Sequence, residues 1–121
     1  MDKLILIAED EPKNAKLIGD LLRIKGYRVV EATDGKQAVE LCRVMKPDMI
    51  LMDIMMPVMN GLEATKAIRG DATTGNVPII ALTSLAMKGD KELILEAGCN
   101  TYISKPIDIK EFLKTVAKYF E

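Results

Sequence analysis

The sequence predicts an α/β chain in which five parallel strands alternate with five helices, and the helices cover both faces of the sheet. Three observations predict this. Runs that are apolar at every position, such as Leu4-Ile5-Leu6-Ile7-Ala8, recur along the 121 residues, as strands buried on both faces require. Between these runs lie stretches whose apolar residues recur at helical spacing. No low-complexity segment, internal repeat or Pro/Gly/Ser linker divides the chain, so one domain over residues 1–121 is expected.

Taken in order, Leu4 to Ala8 is the first strand. Pro12 suits the first turn of a helix along which Leu17, Ile18, Leu21 and Leu22 form a stripe, with Gly26 at its end. Tyr27 to Ala32 reads as the second strand, and Thr33-Asp34-Gly35 turns into a helix carrying Ala38, Leu41, Cys42 and Met45 on one side. Met49-Ile50-Leu51-Met52 is a third buried strand ending at Asp53, and Gly61 opens a helix marked by Leu62, Thr65 and Ile68. Pro78 precedes a fourth strand, Ile79 to Leu82, which ends at Thr83. Lys88 to Ala97 is helix-like with a blurred stripe, closed by Gly98, and Thr101-Tyr102-Ile103 is a short fifth strand. The last helix has the clearest face: Ile109, Phe112, Leu113, Val116 and Phe120.

Composition narrows the chemistry. Hydrophobic residues make up 49% and charged residues 29%, an ordinary globular balance, and the net charge of −1 gives no electrostatic pull toward nucleic acid. The longest apolar run is too short to span a bilayer, and Met1-Asp2-Lys3 leads into it with no small-residue cleavage site, so neither a membrane segment nor a secretory signal is expected. The two cysteines, Cys42 and Cys99, lack metal-ligand spacing and read as buried thiols of a reducing cytoplasm. Histidine is absent, which excludes Ser-His-Asp and Cys-His catalysis. Carboxylates, hydroxyls, lysines and the backbone remain.

In an open parallel sheet a ligand sits beyond the carboxyl ends of the strands. Those ends hold Glu9-Asp10-Glu11, Asp53, Thr83-Ser84 and Ser104-Lys105-Pro106. Carboxylate oxygens suit Mg²⁺, which keeps waters for a phosphate to displace, while a hydroxyl and an ammonium can hold phosphoryl oxygens. A carboxylate can itself be the nucleophile, forming an aspartyl phosphate, and needs no outside base. Singly, each residue has a plainer reading: Glu11 and Asp34 as helix caps, Asp53 and Thr83 as turn residues, Lys105 as a surface lysine. Their joint placement at successive strand ends favours a site.

Four segments carry a resemblance: Ile7-Ala8-Glu9-Asp10-Glu11, Leu51-Met52-Asp53-Ile54-Met55-Met56-Pro57-Val58-Met59-Asn60-Gly61, Ala81-Leu82-Thr83-Ser84 and Tyr102-Ile103-Ser104-Lys105-Pro106. In their order and spacing the chain resembles, over essentially its whole length, the receiver domains of two-component response regulators, including the single-domain regulators of chemotaxis and the cell cycle. The resemblance implies a flavodoxin-like doubly wound (βα)5 sandwich with strand order 2-1-3-4-5. It implies Asp53 as phospho-acceptor, Asp10 as the direct Mg²⁺ ligand, Glu9 as the acid beside it, and a backbone carbonyl at Met55 completing the metal site, with Mn²⁺ as a substitute. Many members have Asp-Asp where this chain has Glu9-Asp10. Thr83 matches the hydroxyl that follows the phosphoryl group inward, Lys105 the lysine that pairs with a phosphoryl oxygen, its bond to Pro106 the family's cis peptide, and Tyr102 the aromatic that swaps between outward and inward positions.

The same resemblance implies a cytoplasmic phosphorelay switch: not a turnover enzyme on an external substrate, but a protein that catalyses its own Mg-dependent phosphorylation and slow self-dephosphorylation. Slow loss is expected because Met55 and Leu85, two places after Asp53 and Thr83, offer no strong hydrogen bond to an attacking water. Expected partners are a sensor histidine kinase or histidine phosphotransfer protein, and an effector at the face of the fourth helix, fifth strand and fifth helix. Met55, Met56, Met59 and Met87 read as loop and core packing or as an adaptable docking surface. A flavin or nucleotide binder lacks its phosphate-cradling glycine loop here, a phosphatase its cap and second acid, and a never-phosphorylated interaction module would not need Asp53, Thr83 and Lys105 together. The sequence leaves open a stand-alone regulator and a receiver domain cut from a longer protein.

Overall fold

The computed structural model describes residues 2–84 and 88–120; the side chain of Lys88 lies outside that description. Strands β1 (Leu4–Ala8), β2 (Arg28–Ala32), β3 (Met49–Asp53), β4 (Ile79–Thr83) and β5 (Thr101–Ser104) alternate with helices α1 (Pro12–Ile24), α2 (Gly35–Met45), α3 (Gly61–Gly70), α4 (Lys88–Ala97) and α5 (Ile109–Lys118). All strand pairs are parallel, in the order β2-β1-β3-β4-β5. This is the doubly wound flavodoxin-like arrangement.

The fully apolar strands have a direct cause. Successive side chains of a strand point to opposite faces, and here both faces are covered. Leu6, Ala8, Ile50, Met52, Ile79 and Ala81 pack with Ala38 and Cys42 of α2, Ala64 and Ile68 of α3, and Ile94 of α4. Their neighbours Ile5, Ile7, Met49, Leu51, Ile80 and Leu82 pack on the other side with Ile18 and Leu22 of α1 and Phe112 and Val116 of α5. Burying one such side chain contributes about 1.5–3 kcal/mol. β1, β3 and β4 are buried throughout, whereas β2 and β5 form the edges, and β2 keeps Arg28 and Glu31 exposed.

Local sequence sets the helix ends. Pro12 opens α1, the Asp34 side chain accepts from the Gln37 N–H to cap α2, and Asp108 does the same for Glu111 in α5. Before α3, Asn60 accepts from the Glu63 N–H at 2.9 Å while the Glu63 carboxylate accepts from the Asn60 N–H at 3.1 Å, a reciprocal capping box.

Some expectations shift. Glu11 stands at the N-cap position of α1 but its side chain makes no capping bond. The second strand begins at Arg28, because the Tyr27 N–H donates to the Leu22 carbonyl at 3.1 Å and closes the end of α1, while its ring packs near Phe120 with centroids 5.5 Å apart. The fifth strand runs one residue further, to Ser104. Leu17, Met45 and Ile109 lie on the expected stripes yet are exposed, since a helix seated on a flat sheet buries a strip narrower than its apolar face. Cys42 and Cys99 are buried, and burial raises both thiol pKa values above the ordinary range, as expected of inert core thiols.

Candidate functional site

Parallel strands put all their carboxyl ends on one edge. Asp53 and Thr83 are the last residues of β3 and β4, Glu9 and Asp10 follow β1, and Lys105 follows β5. β1 and β3 are neighbours, but α1 leaves toward one face and α3 toward the other, which opens a crevice between them. The backbone fixes the edge: the Ile54 N–H donates to the Leu82 carbonyl at 3.2 Å and the Lys105 N–H to the Thr83 carbonyl at 2.8 Å. The loop after β3 folds back on the strand end, with the Gly61 N–H bonding the Ile54 carbonyl at 2.9 Å. A Cβ on Gly61 would overlap the Asp53 carbonyl oxygen, so only glycine lets α3 start this close to the site.

Lys105 joins the acids. Its Nζ lies 3.1 Å from Glu9 Oε1 and 3.0 Å from Asp53 Oδ2, although 96 and 52 residues separate it from them in sequence. Asp53 Oδ1 accepts the Met55 N–H at 3.1 Å, which holds the carboxylate at both oxygens. Glu9 is 2% and Asp53 4% exposed, whereas Asp10 lies in the open mouth. Burial, and next the hydrogen bond and charge of Asp53, push the Glu9 pKa up to about 7; Lys105 opposes the rise without cancelling it. For Lys105, burial disfavours the charge, but hydrogen bonds to Asp53 and Glu9 outweigh it and raise the ammonium above its ordinary value.

Glu9, Asp10 and Asp53 each bring a carboxylate oxygen within 4.8 Å of the others. When ionised, three carboxylates against one ammonium leave excess negative charge in hard oxygen donors, a set that fits a divalent cation of the Mg²⁺ class. Thr83 is 1% exposed beside this cluster. Tyr102 is half-buried, with the Lys91 ammonium 5.4 Å from its ring centroid. The Lys105-Pro106 bond is cis.

The structure therefore brings Glu9, Asp10, Asp53 and Lys105 together. The methionines divide: Met56 and Met59 pack into the core, Met55 is 62% exposed, and Met87, like Leu85, lies outside the described residues. Lys91 over Tyr102 escaped the sequence reading, since nothing in a surface lysine announces a ring beneath it.

Comparison with known proteins agrees with this geometry. The profile of the response regulator receiver domain matches residues 5–117. The polar-differentiation response regulator DivK of Brucella anthropi is 44% identical over 119 residues, covering 98% of this chain and 97% of DivK. The receiver domain of sensor histidine kinase PA1611 from Pseudomonas aeruginosa, solved with a magnesium ion coordinated in its active site cleft, is 41% identical with a TM-score of 0.91 over 98% of each chain. The chemotaxis response regulator CheY4 of Vibrio cholerae is 28% identical, with a TM-score of 0.93 over 98% of this chain and 99% of that one. Among the described residues no helix is long and apolar enough to cross a membrane. With its doubly wound sheet, its acids at the β1/β3 crevice and these likenesses, the chain belongs to the receiver-domain family of two-component response regulators.

Proposed function

We propose that the chain is a cytoplasmic phospho-acceptor switch that takes a phosphoryl group onto Asp53 from a histidine kinase, a histidine phosphotransfer protein or a small acyl phosphate. The observation that carries this reading is the buried pair Glu9 and Asp53 bridged by one lysine, with Asp10 alongside. A carboxylate oxygen of Asp53 attacks phosphorus, the new O–P bond forms, and the N–P bond of the donor phosphohistidine breaks with its electron pair left on the imidazole nitrogen. Glu9, Asp10, the Asp53 carboxylate and the Met55 carbonyl would hold Mg²⁺, or Mn²⁺ in its place. When bound, the cation offsets repulsion among the acids and negative charge on the transferring group.

Lys105 stands 3.0 Å from Asp53 and so is placed to pair with a phosphoryl oxygen built there. Thr83, at the adjoining strand end, would hydrogen-bond another. Its shift would let Tyr102 turn inward, changing the face of α4, β5 and α5 that an effector reads. Met55 reaches solvent but cannot orient a water by a strong hydrogen bond, which supports slow self-dephosphorylation. The chain turns over no external substrate in this reading.

Intact mass after incubation with acetyl phosphate and Mg²⁺ tests the proposal. The expected result is a gain of one phosphoryl group that persists after acetyl phosphate is removed, and is absent in Asp53→Asn and in a metal-free sample. A gain that survives Asp53→Asn would overturn the assignment.

A further inference from the structure

Arg69, in the last turn of α3, lies at the far end of the sheet from Asp53 and ties three chain segments together: α3, the stretch before β4 and the turn between α4 and β5. Its Nε donates to the Gly98 carbonyl at 2.9 Å, its Nη1 to the carbonyls of Gly75 at 3.0 Å and Val77 at 2.6 Å, and its Nη2 to Asn100 Oδ1 at 2.9 Å. Asn100 passes the tie to the sheet. Its Oδ1 also accepts the Ile79 N–H at 2.8 Å, and its own N–H donates to the Ile79 carbonyl at 2.8 Å. Arg69 forms no ion pair among the described residues, so the guanidinium fork is used on neutral oxygens. Gly98 completes the seat. Its φ of +116° suits glycine, and a Cβ there would stand 2.7 Å from Arg69 Cγ.

The two ends of α4 are thus held differently. At its C-terminal end the helix is tied through Gly98 to Arg69. Under its first seven residues a cavity of about 40 Å³, room for roughly one water, is lined by Ile54, Leu62, Thr83, Asp90, Leu93 and Ile94. Within α4 only Ile94 and Ala97 are buried hydrophobics, so packing alone grips the helix weakly. Lys91 of the N-terminal half lies over Tyr102. Among the described residues, the space left under α4 therefore lies on the side of Gly98 that faces Thr83 and Tyr102.

We propose that Arg69 is a positioning residue for the switch: it anchors the C-terminal end of α4, so that the helix responds to phosphorylation as a lever pivoting at Gly98. The lever rests on the phosphorylation reading given above; the anchor does not. Arg69 touches no reacting group and acts only through the helix it holds.

Amide hydrogen exchange of the full chain, with and without acetyl phosphate and Mg²⁺, tests both halves, while intact mass of the same samples reads phosphorylation separately. In the unphosphorylated state, Arg69→Met should speed exchange at residues 95–98 by about tenfold beyond any change in β1 and β3, which report global stability. Arg69→Lys, which keeps the stem and charge but cannot span four acceptors, should fall between, and serves as the variant if Arg69→Met does not fold. In the phosphorylated parent chain, exchange should change at residues 88–93 and stay constant at 95–98; in the variants the change should spread to 95–98. Equal acceleration of 95–98, β1 and β3 would overturn the anchor. A phosphorylated parent chain whose α4 changes evenly from end to end would overturn the lever, and a sample without a mass gain would overturn the phosphorylation reading and leave the anchor judged on the unphosphorylated data.

Discussion

Lys105 separates two buried acids that would otherwise face each other across the ends of β1 and β3. Replacing it with methionine keeps the stem and removes the charge, leaving Glu9 and Asp53 without their shared partner. The Lys105 side chain is 22% exposed, so solvent softens the penalty, and a loss of about 2 kcal/mol is expected in the metal-free protein. Mg²⁺ should then stabilise Lys105→Met by more than it stabilises the parent chain, because it replaces the missing charge. Denaturant midpoints with and without Mg²⁺ measure both effects, and an equal Mg²⁺ gain in the two proteins would sink the idea. Val58 is a second single-residue case. It is exposed, its φ is +67°, and the Met59 N–H reaches back to the Pro57 carbonyl at 2.7 Å around it, a tight turn that a β-branched residue adopts under strain. Val58→Asn should raise stability by about 1 kcal/mol in the same assay.

The elements were largely legible in the sequence, and for a physical reason. A strand buried on both faces has to be apolar throughout, so β1, β3 and β4 stand out, and the chemistry at a parallel strand's end falls in the next one or two residues. That is why Glu9, Asp10, Asp53, Thr83 and Lys105 could all be named before their distances. α4 was blurred because it buries little beyond Ile94 and Ala97. The Arg69 tie was invisible because three of its four acceptors are backbone carbonyls, which leave no side-chain signature. The capping box before α3 was readable as Asn60-x-x-Glu63 but had no bearing on strand ends. Asn60→Ala should cost about 1 kcal/mol on thermal or chemical unfolding, with phosphoryl uptake at Asp53 retained, since Gly61 rather than the cap sets the approach of α3 to Asp53. Loss of uptake at intact stability would contradict that division.

At the scale of the whole molecule the site links stability, metal and pH. The Glu9 pKa stands near 7 in the folded chain against 4.5 as its ordinary value, so the fold favours the protonated acid. Its contribution to metal-free stability is full below the ordinary value and is lost as pH rises through about 7. Cation binding needs the carboxylate, so the sign reverses: Mg²⁺ affinity should climb as pH rises through about 7, with up to one proton released per ion. Calorimetric titration at about pH 6 and about pH 8, in buffers of different ionisation enthalpy, reads affinity and proton release together. An affinity constant across that interval would show that Glu9 is already ionised in the folded chain.

The span of sequence that Lys105 closes has a further consequence, for biogenesis. Its two acids lie 96 and 52 residues upstream, and the strand that delivers the lysine is the last of the sheet. A ribosome-bound or proteolytically shortened chain lacking β5 carries Asp53 without its ammonium partner. On the reading proposed above, the lysine that would pair with the phosphoryl group therefore arrives only with the final strand, and a chain shortened before β5 should take up less phosphoryl group from acetyl phosphate than the parent chain, as intact mass would show.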